Sequence, residues 1–218
     1  MLVEGFPYRS QPYIQKLKQL LHAGTIGPPQ MMHAAIGFTI SDAANIRFEP
    51  VLGGGVLLDA GTYPVSLVRL VAGECPARVG ALARWHTSGV DKTLVASLEH
   101  TGGLLAQVSC SLATAVHRHA SIVGTEGSIQ LSFLNSPPLD RPVVLQVTRG
   151  QAWDAPVELI EIPPCNGFRA EAESFERLIR QGPSNWTGAS AEESLDIMLT
   201  LEGVLESARS RQIIEIVR

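Results

Sequence analysis

Asp59 and Tyr63 lie four residues apart in an otherwise apolar run from Gly53 to Gly73. At helical spacing two such side chains sit one above the other on a single face. A carboxylate beside a phenol is a candidate proton-transfer pair. It is equally a candidate buried hydrogen bond with no chemistry. Pro64 cannot donate to the carbonyl of Ala60, so the helix is expected to kink there or only just to begin. The preceding triplet, Gly53 to Gly55, fits close backbone packing at a turn into the helix. It does not fit a dinucleotide fingerprint, because position 58 is Leu where GxGxxG needs its third glycine. No GxxxxGK[ST] loop occurs either.

Other reactive residue types form weaker patterns. His117 and His119 are two apart, which on a strand places both rings on one face. No acid or cysteine stands near them in sequence to complete a metal site, so they read as sheet-face histidines. Ser109 and Ser111 lack a GxSxG elbow. Glu171 and Glu173, near Arg169 and Arg177, read as a solvated helix face. Cys75, Cys110 and Cys165 are odd in number and form no CxxC, the pattern of free thiols in a reducing compartment.

The 218 residues are enough for a sizeable core, and 45% hydrophobic against 17% charged residues marks a folded chain. Net charge is −4 with only three lysines, Lys16, Lys18 and Lys92. Without a basic stripe, nucleic acid and anionic membrane surfaces are excluded as expected partners. No uninterrupted apolar run reaches the roughly 18 residues of a membrane span. The N-terminus has no basic region followed by an apolar one, so no signal peptide is expected and the location reads as cytoplasmic.

These residues must be positioned by the surrounding elements. A helix follows Pro12, with Ile14, Leu17, Leu20 and Leu21 on one face, and Gly24 ends it. Residues 30–40 suit a strand and 41–52 a loop. After Gly73 the period changes to two: strands are expected over 77–87, 92–100, 103–113, 117–124, 127–134, 142–149 and 157–162. Short turns such as Gly124–Gly127 separate them, which predicts an antiparallel meander. Residues 168–181 form a helix stopped by Gly182-Pro183. Ser190 and Glu193 make a capping box for a long last helix, and 213–217 form a final strand. Clustered strands and clustered helices predict an α+β fold: a largely antiparallel open-faced sheet with helices packed on one face, in a single domain spanning 1–218.

Several segments in order resemble one family. Glu4-Gly-Phe-Pro-Tyr8-Arg9-Ser-Gln-Pro12, followed by Leu17 to Gly27, resembles the segment joining the two domains of the Gfo/Idh/MocA oxidoreductases, so residues 1–9 read as the remnant of that junction. Gly53-Gly-Gly-x-x-x-Asp59-x-Gly61-x-Tyr63 through Arg69 resembles the family's GGGxLxDxGxH/Y stretch. Gly124-Thr-Glu-Gly127 matches its hairpin, and Glu193 through Ser210 its last helix. Tyr in place of the commoner His at position 63 leans toward the glucose–fructose oxidoreductase, dihydrodiol and xylose dehydrogenase branch.

The resemblance covers the C-terminal, substrate-binding and dimerisation half of such an enzyme. It implies hydride transfer between a nicotinamide cofactor, NAD or NADP, and a sugar, polyol or dihydrodiol. Tyr63 and Asp59 become the implied catalytic residues, and Arg9, Asn166 and Phe168 the implied substrate-binding residues. Arg9 alternatively forms a structural ion pair. The family's Rossmann domain and Glu-Lys-Pro motif are not in this sequence; no lysine here precedes a proline. A free phenol titrates near pH ~10, too high for a base at neutral pH, and the family lysine is the implied charge that lowers it. The isolated chain is therefore expected to bind no cofactor, to be inactive and to form a homodimer through the open sheet face. Two origins stay open: part of a longer dehydrogenase, or a Rossmann-less, non-enzymatic dimerisation or scaffold module.

Overall fold

The computed structural model describes residues 3–42 and 44–218. Its helices are α1 (Pro12–His22), α2 (Thr62–Ala72), α3 (Gly167–Gln181) and α4 (Ala191–Ser210). Its strands are β1 (Pro29–Thr39), β2 (Arg78–Trp85), β3 (Asp91–Glu99), β4 (Leu105–Ser111), β5 (Ala113–Gly124), β6 (Gly127–Leu131), β7 (Val143–Arg149), β8 (Val157–Ile162) and β9 (Ile214–Glu215). The fold is α+β, with a largely antiparallel open sheet and packed helices, as the pattern of elements implied.

Two compact units make up the chain, Met1–Pro29 with Ser121–Ser194, and Gln30–Ala120 with Leu195–Arg218. In the second unit the strand order is β5-β1-β4-β3-β2-β9. The hairpins β2–β3 and β3–β4 are antiparallel, as expected. The meander fails at the next step. A single residue, Leu112, separates β4 from β5, too short to reverse the chain into a hairpin. β1 lies between them instead and runs parallel to β4, from Met31 opposite Leu105 to Gly37 opposite Ser111. The long excursion through α2 and the β2–β3 hairpin supplies the crossover that a parallel pair needs. The expected 213–217 strand is reduced to the two residues of β9, paired with β2.

Alternation along these strands fixes the core. Met32, Ala34 and Ile36 of β1, Leu94, Ala96 and Leu98 of β3, and Ala106, Val108 and Cys110 of β4 are buried. Burial holds the Cys110 thiol well above its usual range, so this residue is packing and not a nucleophile. Val65, Leu67 and Val68 of α2 and Ile197, Leu201 and Val204 of α4 are buried in the same unit. Arg69 of α2 joins Asp196 of α4 at 2.6 Å, and Asp196 is 1% exposed. On the other sheet face Met31, Leu82, Val95 and Leu105 stay exposed.

In the first unit β6–β7 and β7–β8 are antiparallel. Tyr13, Ile14, Leu17 and Leu20 form the buried stripe of α1, and the Tyr13 hydroxyl donates to the Leu134 carbonyl at 2.8 Å. Tyr8 meets Phe133 edge to face with ring centroids 5.8 Å apart. Glu171 departs from the solvated face expected of it: burial raises its carboxyl, while the Phe6 amide opposes that shift.

The helical stretch Pro50–Ala72 is long and apolar enough, by length and composition, to cross a bilayer, but 56% of its window is buried inside the protein. Its entrance is fixed by a buried carboxylate. Asp91, 2% exposed, accepts the Leu57 amide at 2.7 Å. Gly55, at φ 114°, leaves it room: a Cβ there would lie 2.1 Å from an Asp91 carboxylate oxygen. Burial raises the Asp91 carboxyl, with the Leu57 and Val56 amides opposing. A raised folded value means that this group's contribution to stability is complete below its unfolded pKa of about 3.9 and is lost as pH rises through the folded value. Asp91→Asn keeps an acceptor and cannot ionise, so it should flatten that part of the pH–stability curve. Asp91→Ala orphans the Leu57 amide and should cost about 1–3 kcal/mol in urea unfolding at pH 7. An alanine variant of unchanged midpoint would show that the bond contributes nothing.

Candidate active site

Asp59 and Tyr63 belong to the second unit, and the loop before them explains the glycine triplet. Asn45 opens a short 3-10 turn, its side-chain oxygen accepting the Arg47 amide at 3.1 Å. Glu49 does the same for Val51 at 3.2 Å in the next turn, Pro50–Leu52. The chain then folds back: the amides of Gly53, Gly54 and Gly55 donate to the carbonyls of Pro50, Glu49 and Arg47 at 3.1, 3.0 and 2.8 Å. All three glycine amides are thus used within the loop, so none is left to cradle a phosphate. A Cβ on Gly54 would lie 2.7 Å from the Arg47 carbonyl oxygen and 2.8 Å from that of Glu49. The triplet closes the loop over the helix entrance and carries Arg47 with it.

Arg47 is the residue that the sequence did not single out. Its Nε donates to Asp59 Oδ2 at 2.6 Å, and both side chains remain about one-third exposed, 35% and 31%. The Asp59 hydrogen bond raises the guanidinium's affinity for its proton, and the Tyr63 phenol adds a smaller electrostatic contribution of the same sign. Arg47 is therefore bonded to one member of the expected pair and lies within electrostatic reach of the other. Leu57–Gly61, which carries Asp59, is a π-helical turn leading into α2. Pro64 gives a physical reason for such a turn: it has no amide, and its ring crowds the carbonyl four residues back. Tyr63 is half-buried, and the Arg118 guanidinium carbon lies 4.3 Å from its ring centroid.

The three implied substrate-binding residues lie in the first unit. Arg9 is 1% exposed, and its Nη2 donates to Glu193 Oε1 at 2.5 Å. Glu193 also accepts the Ser190 amide at 2.9 Å while its own amide donates to Ser190 Oγ at 3.1 Å, completing the expected capping box. One carboxylate thus caps α4 and holds Arg9, the ion-pair alternative. Asn166 caps α3, its side-chain oxygen accepting the Arg169 amide at 3.2 Å. Phe168, two residues on, is 58% exposed, and Asn166 is exposed as well, whereas Arg9 is buried. Among the described residues, no three His, Cys, Asp or Glu side chains cluster to hold a metal ion. The His117 and His119 rings lie 5.9 Å apart, and His117 Nδ1 is 2.9 Å from the Ala115 carbonyl.

A glycine-closed loop thus leads into a π turn carrying an acid and a helix carrying a phenol, beside an open, largely antiparallel sheet. Residues 14–130 match the GFO/IDH/MocA C-terminal domain, and the chain belongs to that family. It is 29% identical over 217 residues to D-xylose 1-dehydrogenase (NADP(+)) 2 of Haloferax volcanii, covering 99% of this chain and 64% of the relative. It is 31% identical over 209 residues to trans-1,2-dihydrobenzene-1,2-diol dehydrogenase of Xenopus laevis, covering 94% and 62%. The fold is shared with an aldose-aldose oxidoreductase from Caulobacter crescentus, crystallised with glycerol, at a TM-score of 0.84, 21% identity and coverage of 97% and 62%. A 3-ketoreductase from Actinomadura kijaniata, crystallised with NADP and TDP-benzene, gives 0.83, 24%, 95% and 62%. The chain thus spans less than two thirds of the length of these proteins.

Burial separates the two arginine pairs. Arg47→Ala should cost less than about 1 kcal/mol, as exposed pairs do. Arg9→Ala removes the cation from a largely buried contact and leaves Glu193 with the Ser190 amide, so about 3 kcal/mol is expected. Equal losses in denaturant unfolding would contradict this ranking. Gly55→Ala should cost about 1–3 kcal/mol from backbone strain alone, before its clash with Asp91 is added.

Proposed function

We propose that this chain is the substrate-binding and dimerisation part of an NAD(P)-dependent oxidoreductase that moves hydride between a nicotinamide and a sugar, polyol or dihydrodiol. The observation that carries the reading is Tyr63, set with Asp59 beside Arg47 on a glycine-closed helix of this family's C-terminal domain. A xylose dehydrogenase and a dihydrodiol dehydrogenase among the relatives support the substrate class. Oxidation of a carbinol needs a group to take the hydroxyl proton, and Tyr63 is that acceptor. Asp59 orients it through the shared cation. Phe168 offers an apolar surface for the substrate's carbon skeleton, while Arg9 and Asn166 hold the segments around it.

The nicotinamide would supply the hydride acceptor; among the described residues the Gly53–Gly55 amides are already occupied, and the sequence holds no GxGxxG loop, which supports a cofactor site outside these residues. The chain alone is therefore inactive. Met31, Leu82, Val95 and Leu105 on the uncovered sheet face support a homodimer through that face. The competing reading, a non-enzymatic dimerisation module, needs the sheet face and none of the site.

The decisive measurement is a cofactor and sugar panel on the protein from the complete open reading frame, beside the 218-residue chain. Turnover by the former, none by the latter, and a loss of kcat of about 10²–10⁴-fold in Tyr63→Phe are expected. Turnover by the isolated chain would sink the inactivity claim, and an unaffected Tyr63→Phe enzyme the assignment of the acceptor. In sedimentation at tens of micromolar the chain should run as a dimer and Val95→Glu as a monomer; a wild-type monomer counts against the sheet-face interface.

A further inference from the structure

The histidine pair on β5 drew notice in the sequence, yet the residue between its members is the one that reaches the candidate site. His119 lines the uncovered sheet face together with His33, Gln107 and Ser109. A period of two turns Arg118 to the opposite side. There its guanidinium carbon lies 4.3 Å from the Tyr63 ring centroid, within cation–π range.

We propose that Arg118 is a positioning residue for Tyr63: stacked on the phenol ring, it fixes where the hydroxyl points. This rests on the reading of Tyr63 as proton acceptor.

Several features of the structure support it. The backbone of Tyr63 is already held, because its carbonyl accepts Ser66 Oγ at 2.8 Å and Pro64 follows it. The position of the hydroxyl is set by the torsion about Cα–Cβ, which swings the whole ring, and a planar guanidinium on the ring face limits that swing. Arg47 approaches the same phenol electrostatically from the 46–48 turn, so two cations converge on one side chain from separate elements. Their division of labour differs. Arg47 is engaged by Asp59 at 2.6 Å, whereas Arg118 addresses the ring.

The seat of β5 is itself constrained. A Cβ on Gly37 would lie 2.2 Å from Thr114 Oγ1 and 2.4 Å from His117 Cε1. A side chain at Gly37 would therefore press on two side chains of β5, the strand that carries Arg118. Lysine, lacking the flat delocalised cation, keeps the charge but stacks poorly.

The test uses 3-fluorotyrosine in the 218-residue chain. Tyr8 and Tyr13 are buried at 0% and 1% exposure, so their signals are internal controls. Tyr63 is assigned by its loss in Tyr63→Phe. Arg118→Gln should move or broaden the Tyr63 resonance and leave the other two in place, with Arg118→Lys between. An unchanged Tyr63 signal in Arg118→Gln overturns the proposal. A change in all three signals also overturns it, since that reports a general loss of packing.

In the complete enzyme Arg118→Gln should lower kcat by about 10- to 100-fold with KM within about twofold, and Arg118→Lys should recover part of it. A loss confined to KM, or lysine no better than glutamine, overturns positioning. A complete enzyme with no dehydrogenase turnover at all refutes the function proposed above instead, and the fluorine spectra still decide whether Arg118 orders the ring.

Discussion

The Asp91 carboxylate on the Leu57 amide is the contact on which the site depends. It is nearly inaccessible, and it links the first residue of β3 to the entrance of the helix that carries Asp59 and Tyr63. Burying a carboxylate is costly unless its oxygens are satisfied by donors. Here backbone amides at a helix start supply them, where the partial positive charge of unpaired N–H groups favours an anion. The space comes from Gly55. A side chain at that position would occupy the place of the carboxylate. Helix entrance and the first residue of β3 are therefore fixed to one another by a polar contact with little slack, and the candidate residues inherit that rigidity.

Around this point the second unit assembles its charges in a graded way. Arg69 and Asp196 pair almost fully buried and tie α2 to α4. Arg47 and Asp59 pair at the surface, held by a loop whose amides fold back on its own carbonyls. The first pair is architectural because its partners could not survive alone in the interior. The second contributes little to stability, which leaves it free to serve chemistry. Tyr63 is half-buried with the Arg118 guanidinium on its ring, and the Arg47 cation is within electrostatic reach, so the side chain is ordered and still partly open to solvent. Arg9 belongs with the architectural pair, since Glu193 serves it and the α4 cap at once.

The family's glycine triplet serves the close backbone packing read from the sequence. In sequence it is a short glycine run before a helix, a pattern that invites comparison with phosphate loops. In the structure its amides face inward to Arg47, Glu49 and Pro50. Its chemical contribution is indirect: it places a cation over an acid and a phenol.

Much of the fold was legible because it is written locally. Alternation in β1, β3 and β4, the stripe on α1 and the Ser190–Glu193 box each depend on residues within a turn or a strand, and they fix element type and the buried face. The Asp59–Tyr63 run and its family likeness were legible for the same reason. Tertiary structure decided the partners. Arg47 comes from 12 residues before Asp59, Asp91 from 34 residues after Leu57, and Arg118 from a strand beyond the meander. The parallel insertion of β1 between β4 and β5 sets where β5 lies, and no local signal announces it. Sequence periodicity states which face of an element is apolar. Which charged side chain meets which depends on strand order, register and loop closure, and these are settled only when the whole sheet packs.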